Sequence, residues 1–240
     1  DKLLLRRADL RFPFPEGLSQ RVTGKTMRAV ERRAKYGLIR FDNAEPLSVL
    51  FHLGMSGRMT CEDDPSLPFE KHDHVVLETV RGQVRFNDPR RFGFMDLIDG
   101  SEEDNRFLAA LGPEPLSDAV SPAYLRAAFK DRASPIKASL LNQRLIAGLG
   151  NIYVCEALFE SGIQPTRKTG SLKRAEVERL CAAIKGVLAR AIEAGGSSLR
   201  DYKQVSGKLG YFQHAWAVYG RENEACRSCN APIQRIVQSN

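Results

Sequence analysis

The chain of 240 residues has no apolar run approaching the ~18 residues that a membrane-spanning helix needs, no internal repeat and no low-complexity tract. A helical membrane protein, a repeat array and a disordered linker are thereby excluded as organising themes. Its first residues do not read as a secretory leader, so a cytoplasmic location and no membrane partner are expected. Cysteine is sparse: Cys61, Cys155 and Cys181 are isolated, and the last two fall in helix-like segments, as reduced core thiols do. C-x-x-C occurs once, at Cys226 and Cys229. Structural zinc needs four ligands, commonly two such pairs. His214, the one histidine of the second half, stands at an unusual spacing. The pair is therefore half of a zinc ribbon whose second half lies beyond Asn240, or a redox pair. The βαβ context of a redox motif is missing, which favours the ribbon.

What is present is an apolar fraction of 42%, enough for real cores in one large or two modest domains. A formal charge of +7 and a pI near 9.3 suit a polyanionic partner. Residues 1–113 read as β-rich. YGLIRF (36–41), LSVLFHL (47–53), VVLETV (75–80) and FGFMDLI (92–98) are short runs broken by Gly, Pro, Asp and Asn, the pattern of an antiparallel sandwich or barrel. Ser101 followed by Glu102, Glu103 and Asp104 predicts a capped helix, closed at Gly112-Pro113. The second half reads as helical, so the fold class is α+β. Ser121-Pro122 is a cap followed by a first-turn proline. Val177, Leu180, Ile184, Val187, Leu188 and Ile192 predict a long amphipathic helix stopped by Gly195-Gly196. Residues 195–213 read as a long loop, of a length usually functional or mobile. The expected layout is a β domain over 1–113, a helical domain over 114–215 and a C-terminal segment over 216–240, with the break near Gly112–Ser121.

The stretch 134–162 organises the second half as helix, glycine turn, helix. Ser134 predicts an N-cap with Pro135 in the first turn. Ile136, Leu140, Leu141 and Leu145 form one apolar face, and Gly148 and Gly150 end that helix. Asn151 opens the next helix and Gly162 closes it in a left-handed C-cap. Such a turn offers N–H groups at a helix N-terminus, flanked by Lys137 and Asn151, and a phosphate backbone would satisfy them together. A plain helical hairpin with glycines chosen for packing fits the same spacing.

Four constellations remain in the first half. RRAKY (32–36) puts three cations at the mouth of a strand, either a solvated turn or a phosphate-binding or catalytic lysine. In FHLGMSG (51–57) two glycines bracket Met55 and Ser56, pushing Met55 outward as an apolar tip. Ser56 is not in a G-x-S-x-G elbow, which weakens it as a nucleophile. In EKHDH (70–74), His72 and His74 face one side of a strand with His52 nearby, as metal ligands, phosphate contacts or structural histidines. In NDPRRFGF (87–94), Asp88-Pro89 starts a turn with Arg90, Arg91 and Phe92 at its tip. Guanidinium plus ring suits insertion into a nucleic-acid stack, although a surface turn with a half-buried Phe fits too.

RRAKY, HLGMSG, KHDH, DPRRFG, LGPEPL, PIKASLLNQ, GLGNIYVCEALF, GI-P and VYGRE…C-x-x-C follow one another in this order. Together they resemble bacterial formamidopyrimidine-DNA glycosylases, the 8-oxoguanine repair family, across nearly the whole chain. The sister family, endonuclease VIII, shares the fold, but HLGMSG and KHDH stand in the form of the oxidised-purine enzymes. The resemblance implies an N-terminal β-sandwich and a C-terminal helical domain with a helix–two-turn–helix and a zinc finger, with DNA between them. It implies a monomer that excises oxidised purines from double-stranded DNA and then cleaves the abasic site by β,δ-elimination through a Schiff base. Met55, Arg90 and Phe92 match the wedge that fills the void of an extruded base, with Arg90 facing the orphaned cytosine. Lys137 and Asn151 match phosphate contacts, and His52, His72 and Arg91 further backbone contacts. Tyr153, inside GLGNIY, joins the DNA-binding set. Lys35 matches the lysine of the elimination step and Glu156 a carboxylate near the damaged nucleotide. Residues 197–211 correspond to the loop covering the extruded base, and Cys226 and Cys229 to the first two zinc ligands. Three departures stand out. The family's N-terminal proline nucleophile and the glutamate after it would precede Asp1. Its other two zinc cysteines and its finger arginine would follow Asn240. Ala133 replaces a basic residue, leaving Arg132 as the adjacent candidate. A homologue that binds lesions or abasic sites without cutting is the alternative to an enzyme.

Overall fold

The computed structural model describes residues 2–196 and 210–238. The chain divides into two compact units, one over Asp1–Ala109 and one over Ala110–Gly196 with the chain from Tyr211 onward. The boundary lies just ahead of the expected Gly112–Ser121 break. The loop assigned to 197–211 falls almost wholly outside the described residues.

The first unit is two four-stranded antiparallel sheets. One runs β1 (Lys2–Leu5), β6 (Asp73–Thr79), β7 (Gly82–Asn87), β5 (Arg58–Glu62); the other runs β2 (Met27–Arg33), β3 (Tyr36–Phe41), β4 (Leu47–His52), β8 (Phe94–Asp99). Leu3, Ile39, Phe41, Leu47, Val49, Val75, Leu77, Phe86 and Met95 from both sheets share one buried core, which makes the unit a sandwich. α1 (Leu18–Val22) adds Leu18 and Val22 to it. β2 and β3 turn at Ala34-Lys35, where Ala34 takes the left-handed φ of +54° that tight hairpins use. Registry then aligns Tyr36 with His52 and His52 with Phe94, so these rings form a row across three strands. At this same end two connections pass between the sheets: 53–57 leads from β4 to β5, and 88–93 from β7 to β8.

The helix expected from Ser101 is not there. Residues 101–110 form successive turns, because polar side chains capture the backbone. Ser101 Oγ accepts from Glu103 N, and Asn105 Oδ1 accepts from Phe107 N at 3.0 Å while its amide donates to Asp96.

The second unit packs α2 (Pro122–Phe129), α3 (Ile136–Leu141), α4 (Asn151–Glu160) and α5 (Arg174–Glu193) around Leu125, Phe129, Ile136, Leu140, Ile146, Leu149, Leu158, Leu180 and Ile184. Ser121 caps α2 by accepting from Tyr124 N at 3.1 Å. α5 buries Val177, Leu180, Ile184 and Val187 but leaves Ile192 exposed. α3 is shorter than expected and ends at Leu141, where the Asn142 side chain accepts from Arg144 N. Leu145, buried, therefore lies in the turn rather than on the helix. Ser134 does not cap α3. Its hydroxyl bonds Ser139, and the first N–H groups go to the backbone of a later loop: Ile136 N to Arg167 O and Lys137 N to Pro165 O.

Candidate nucleic-acid interface

The tip of the sandwich is built by two buried polar side chains. Asp88 is fully buried and Ser56 nearly so. Ser56 Oγ donates to Asp88 Oδ1 at 2.5 Å and accepts from Arg90 N at 3.3 Å. Asp88 Oδ2 accepts from Gly93 N at 2.8 Å. The Asp88 N–H donates to His72 O, its carbonyl accepts from Arg91 N to close the turn around Pro89, and His74 Nε2 lies 2.9 Å from the same carbonyl. Gly54, at φ +65°, lets the two connections touch: a Cβ there would lie 2.5 Å from the Phe92 carbonyl carbon. The result is an exposed triad. Met55 is 69% and Phe92 42% exposed, and the Arg90 guanidinium sits 4.5 Å over the Phe92 ring. Arg91, also exposed, adopts φ +56° and reaches Asp9 at 3.7 Å. Ser56 is thus a buried tether and no nucleophile. The tie between Ser56 and Asp88 escaped the sequence reading, although a D-P turn facing a G-x-S-G loop is a legible sign of it.

Lys35 projects from the hairpin beside the aromatic row. The residue is exposed overall, yet surrounding atoms strip water from its ammonium and lower its pKa from the usual lysine value. His52 stacks on Phe94 (5.5 Å) and meets the Tyr36 ring at a tilt (5.2 Å), and its Nδ1 accepts from Gly54 N at 3.0 Å. Burial first, then the charges of Lys35 and Arg11, lower its pKa from the ordinary histidine value, so it stands neutral beside the lysine. His72 is half-buried, with its ring 6.0 Å from that of His74. Among the described residues no three His, Cys, Asp or Glu side chains gather as metal ligands, so the H-x-H pair lacks a third partner.

In the second unit the glycine turn is threaded by Gln143, whose amide donates to Leu141 O and Leu149 O while its oxygen accepts from Gly148 N at 2.8 Å. α4 then starts at Asn151 with Gly150 extended as N-cap, and its first-turn N–H groups have no intrahelical partner. Lys137 and Asn151 meet at one residue the sequence did not single out: the Cys155 thiol donates to Asn151 Oδ1 at 3.8 Å and lies beside the Lys137 ammonium. Burial raises the pKa of that thiol, and Lys137 opposes the shift. Tyr153 is half-buried against Phe212, ring centroids 5.9 Å apart. Arg132 is exposed, its Nε donating to Ala128 O.

Glu156 is placed differently from the expectation. It is 2% exposed, and its carboxylate accepts from Ala217 N (2.7 Å), Val218 N (3.0 Å) and Tyr219 N (2.8 Å). Three donors occupy both oxygens, which makes it a tie between α4 and the C-terminal segment rather than a group free to meet a nucleotide.

Cys226 and Cys229 sit in a compact turn. Cys226 N donates to Ala231 O, Asn230 N donates to Cys226 O, and Ser228 N points at Cys226 Sγ from 3.4 Å. N–H groups from Ser228 and then Cys229 hold the Cys226 thiol below the usual range, as suits a sulfur that serves as thiolate. The turn fits one half of a tetrahedral zinc site; the described residues add no third ligand.

A sandwich with a locked cationic-aromatic tip, joined to a helical unit whose glycine turn gathers Lys137 and Asn151, defines a nucleic-acid-binding class of protein. The sequence matches the family model of the formamidopyrimidine-DNA glycosylase N-terminal domain over residues 2–95 and that of the formamidopyrimidine-DNA glycosylase H2TH domain over 111–203. It is 54% identical over 245 residues to the formamidopyrimidine-DNA glycosylase of Acidiphilium cryptum, covering 99% of this chain and 87% of that one. The fold superposes on the MutM (Fpg) protein of Thermus thermophilus with a TM-score of 0.87 at 36% identity, covering 99% of this chain and 86% of that one. It superposes on a Lactococcus lactis FPG mutant in complex with Fapy-dG-containing DNA with a TM-score of 0.88 at 33% identity, covering 98% and 86%. The chain belongs to the formamidopyrimidine-DNA glycosylase family of base-excision repair enzymes.

Proposed function

We propose that this protein removes oxidised purines from duplex DNA and cleaves the abasic site it creates, with Met55, Arg90 and Phe92 filling the space the damaged base leaves. The exposed tip, built on wholly buried supports, carries this reading. Extruding a base costs a few kcal/mol of stacking and pairing. Phe92 and Met55 recover part of it by occupying apolar space, and Arg90 offers donors to the base left opposite. Lys137, Asn151 and the first N–H groups of α4 hold the phosphates beside the extruded nucleotide, with His52, His72, Arg91, Arg132 and Tyr153 as further contacts. The relative solved with Fapy-dG DNA supports a purine lesion as substrate.

The chemistry requires an amine attack at C1′ that expels the base, opening of the sugar at the C1′–O4′ bond with a proton taken up by O4′ to give an iminium, then loss of a C2′ proton and of the 3′ phosphate. Lys35 is suited to the proton transfers, because its lowered pKa brings it closer to the working pH. Cys226 and Cys229 supply two ligands to one structural zinc ion, which would fix the fold of the C-terminal segment. The protein acts as a monomer in the cytoplasm; among the described residues no helix is long and apolar enough to cross a membrane. The direct test is excision of 8-oxoguanine placed opposite each of the four bases. Cytosine is the preferred partner, and Arg90→Ala flattens the preference; an unchanged preference would remove Arg90 from the wedge.

A further inference from the structure

We propose that Ser56 and Asp88 are positioning residues for base extrusion, coupling the two connections at the tip into one stiff wedge. This deepens the excision reading and rests on it.

The argument begins with mechanics. A wedge drives a base out only if it does not yield, and the two connections that carry it are separate in sequence. The five-residue segment 53–57 holds two glycines, and 88–93 is itself an excursion between strands. Each alone would be soft. Asp88 removes that freedom by using all its polar groups at once. One carboxylate oxygen takes the Ser56 hydroxyl, the other takes Gly93 N–H, and its own backbone bonds His72, Arg91 and His74. Ser56 in turn takes Arg90 N–H. The backbone is therefore pinned on both sides of Phe92, and it is anchored through His72 and His74 to the sheet beneath. Burial gives these bonds their strength, since a broken one leaves a polar group with no water to replace its partner. A role in general packing would spread such bonds through the sandwich. Here they converge on Arg90, Arg91 and Gly93, the residues that aim the exposed side chains, and on the loop that bears Met55.

The test uses Ser56→Ala in the full-length protein with two substrates. One is a duplex with 8-oxoguanine opposite cytosine. The other is a single strand with a preformed abasic site, where no base has to be extruded. The expected result is a fall in kcat on the duplex of roughly ten-fold or more, with KM and single-strand cleavage changed by no more than about two-fold. Asp88→Ala, which removes both acceptors, repeats this split, and the double variant adds little to it because the bond between Ser56 and Asp88 is already lost in each single variant. Undiminished excision by Ser56→Ala overturns the proposal, and so does an equal loss on both substrates, which marks a general role in folding. If the unaltered protein cleaves neither substrate, the excision reading itself falls and the coupled wedge falls with it.

Discussion

Lys35 and His52 form a pair whose charges oppose each other. His52 is held below the ordinary value of 6.5 by burial and by the Lys35 and Arg11 charges. The folded unit thus binds fewer protons than the unfolded chain near that pH. The neutral ring's contribution to stability is complete above 6.5 and is lost as pH falls through the lowered folded value. Lys35→Ala removes one of the opposing charges, so the His52 titration followed by NMR moves upward. The same variant slows strand cleavage about 10²-fold while DNA affinity, read by gel shift, changes far less. An equal loss of both would leave Lys35 as an ordinary phosphate contact. RRAKY disclosed the lysine because a tight turn between strands exposes its tip. Its closeness to His52 was hidden, since strand registry alone brings His52 beside the turn that carries the lysine.

At the scale of elements, α4 shows how a motif can be right and one of its members misread. Asn151 and Cys155, four residues apart, share a helical face, and Glu156 turns onto the next one. There it meets backbone N–H groups some sixty residues onward, a contact no local pattern announces. Glu156→Gln puts an amide where donors already crowd, at a cost of about 2 kcal/mol. The expected outcome is a lower Tm with kcat on a saturating abasic substrate nearly unchanged; a selective loss of kcat would return Glu156 to the chemistry. Elements with a dominant periodicity were legible, as with α5 and the cap of α2. The segment from Ser101 was not, because Ser, Asp and Asn serve helix starts and consecutive turns equally well, and here Asn105 bonds Phe107 N and Asp96 instead of opening a helix. The tip connections were legible as loops, from Gly54, Gly57 and the Asp88-Pro89 turn. What joins them was not, because the link between Ser56 and Asp88 spans 32 positions.

Across the whole molecule the formal charge is +7, and the proposed function uses it through phosphate contacts at particular residues, Lys137 among them, rather than through a diffuse field. Lys137→Ala therefore weakens binding to all DNA sequences alike and reduces the slope of log affinity against log salt by about 1; an unaltered slope would argue against its contact with a phosphate. The α+β layout and the family were written in ordered motifs that span both units, and no single motif would have sufficed. The central claim is an amine-catalysed excision followed by cleavage, and borohydride trapping on a duplex with one 8-oxoguanine opposite cytosine tests it most directly. The account predicts that the full-length protein is captured as a covalent protein–DNA adduct in place of a cleaved strand. Binding to the lesion with neither adduct nor cleavage would contradict it and leave a protein that recognises damage without repairing it.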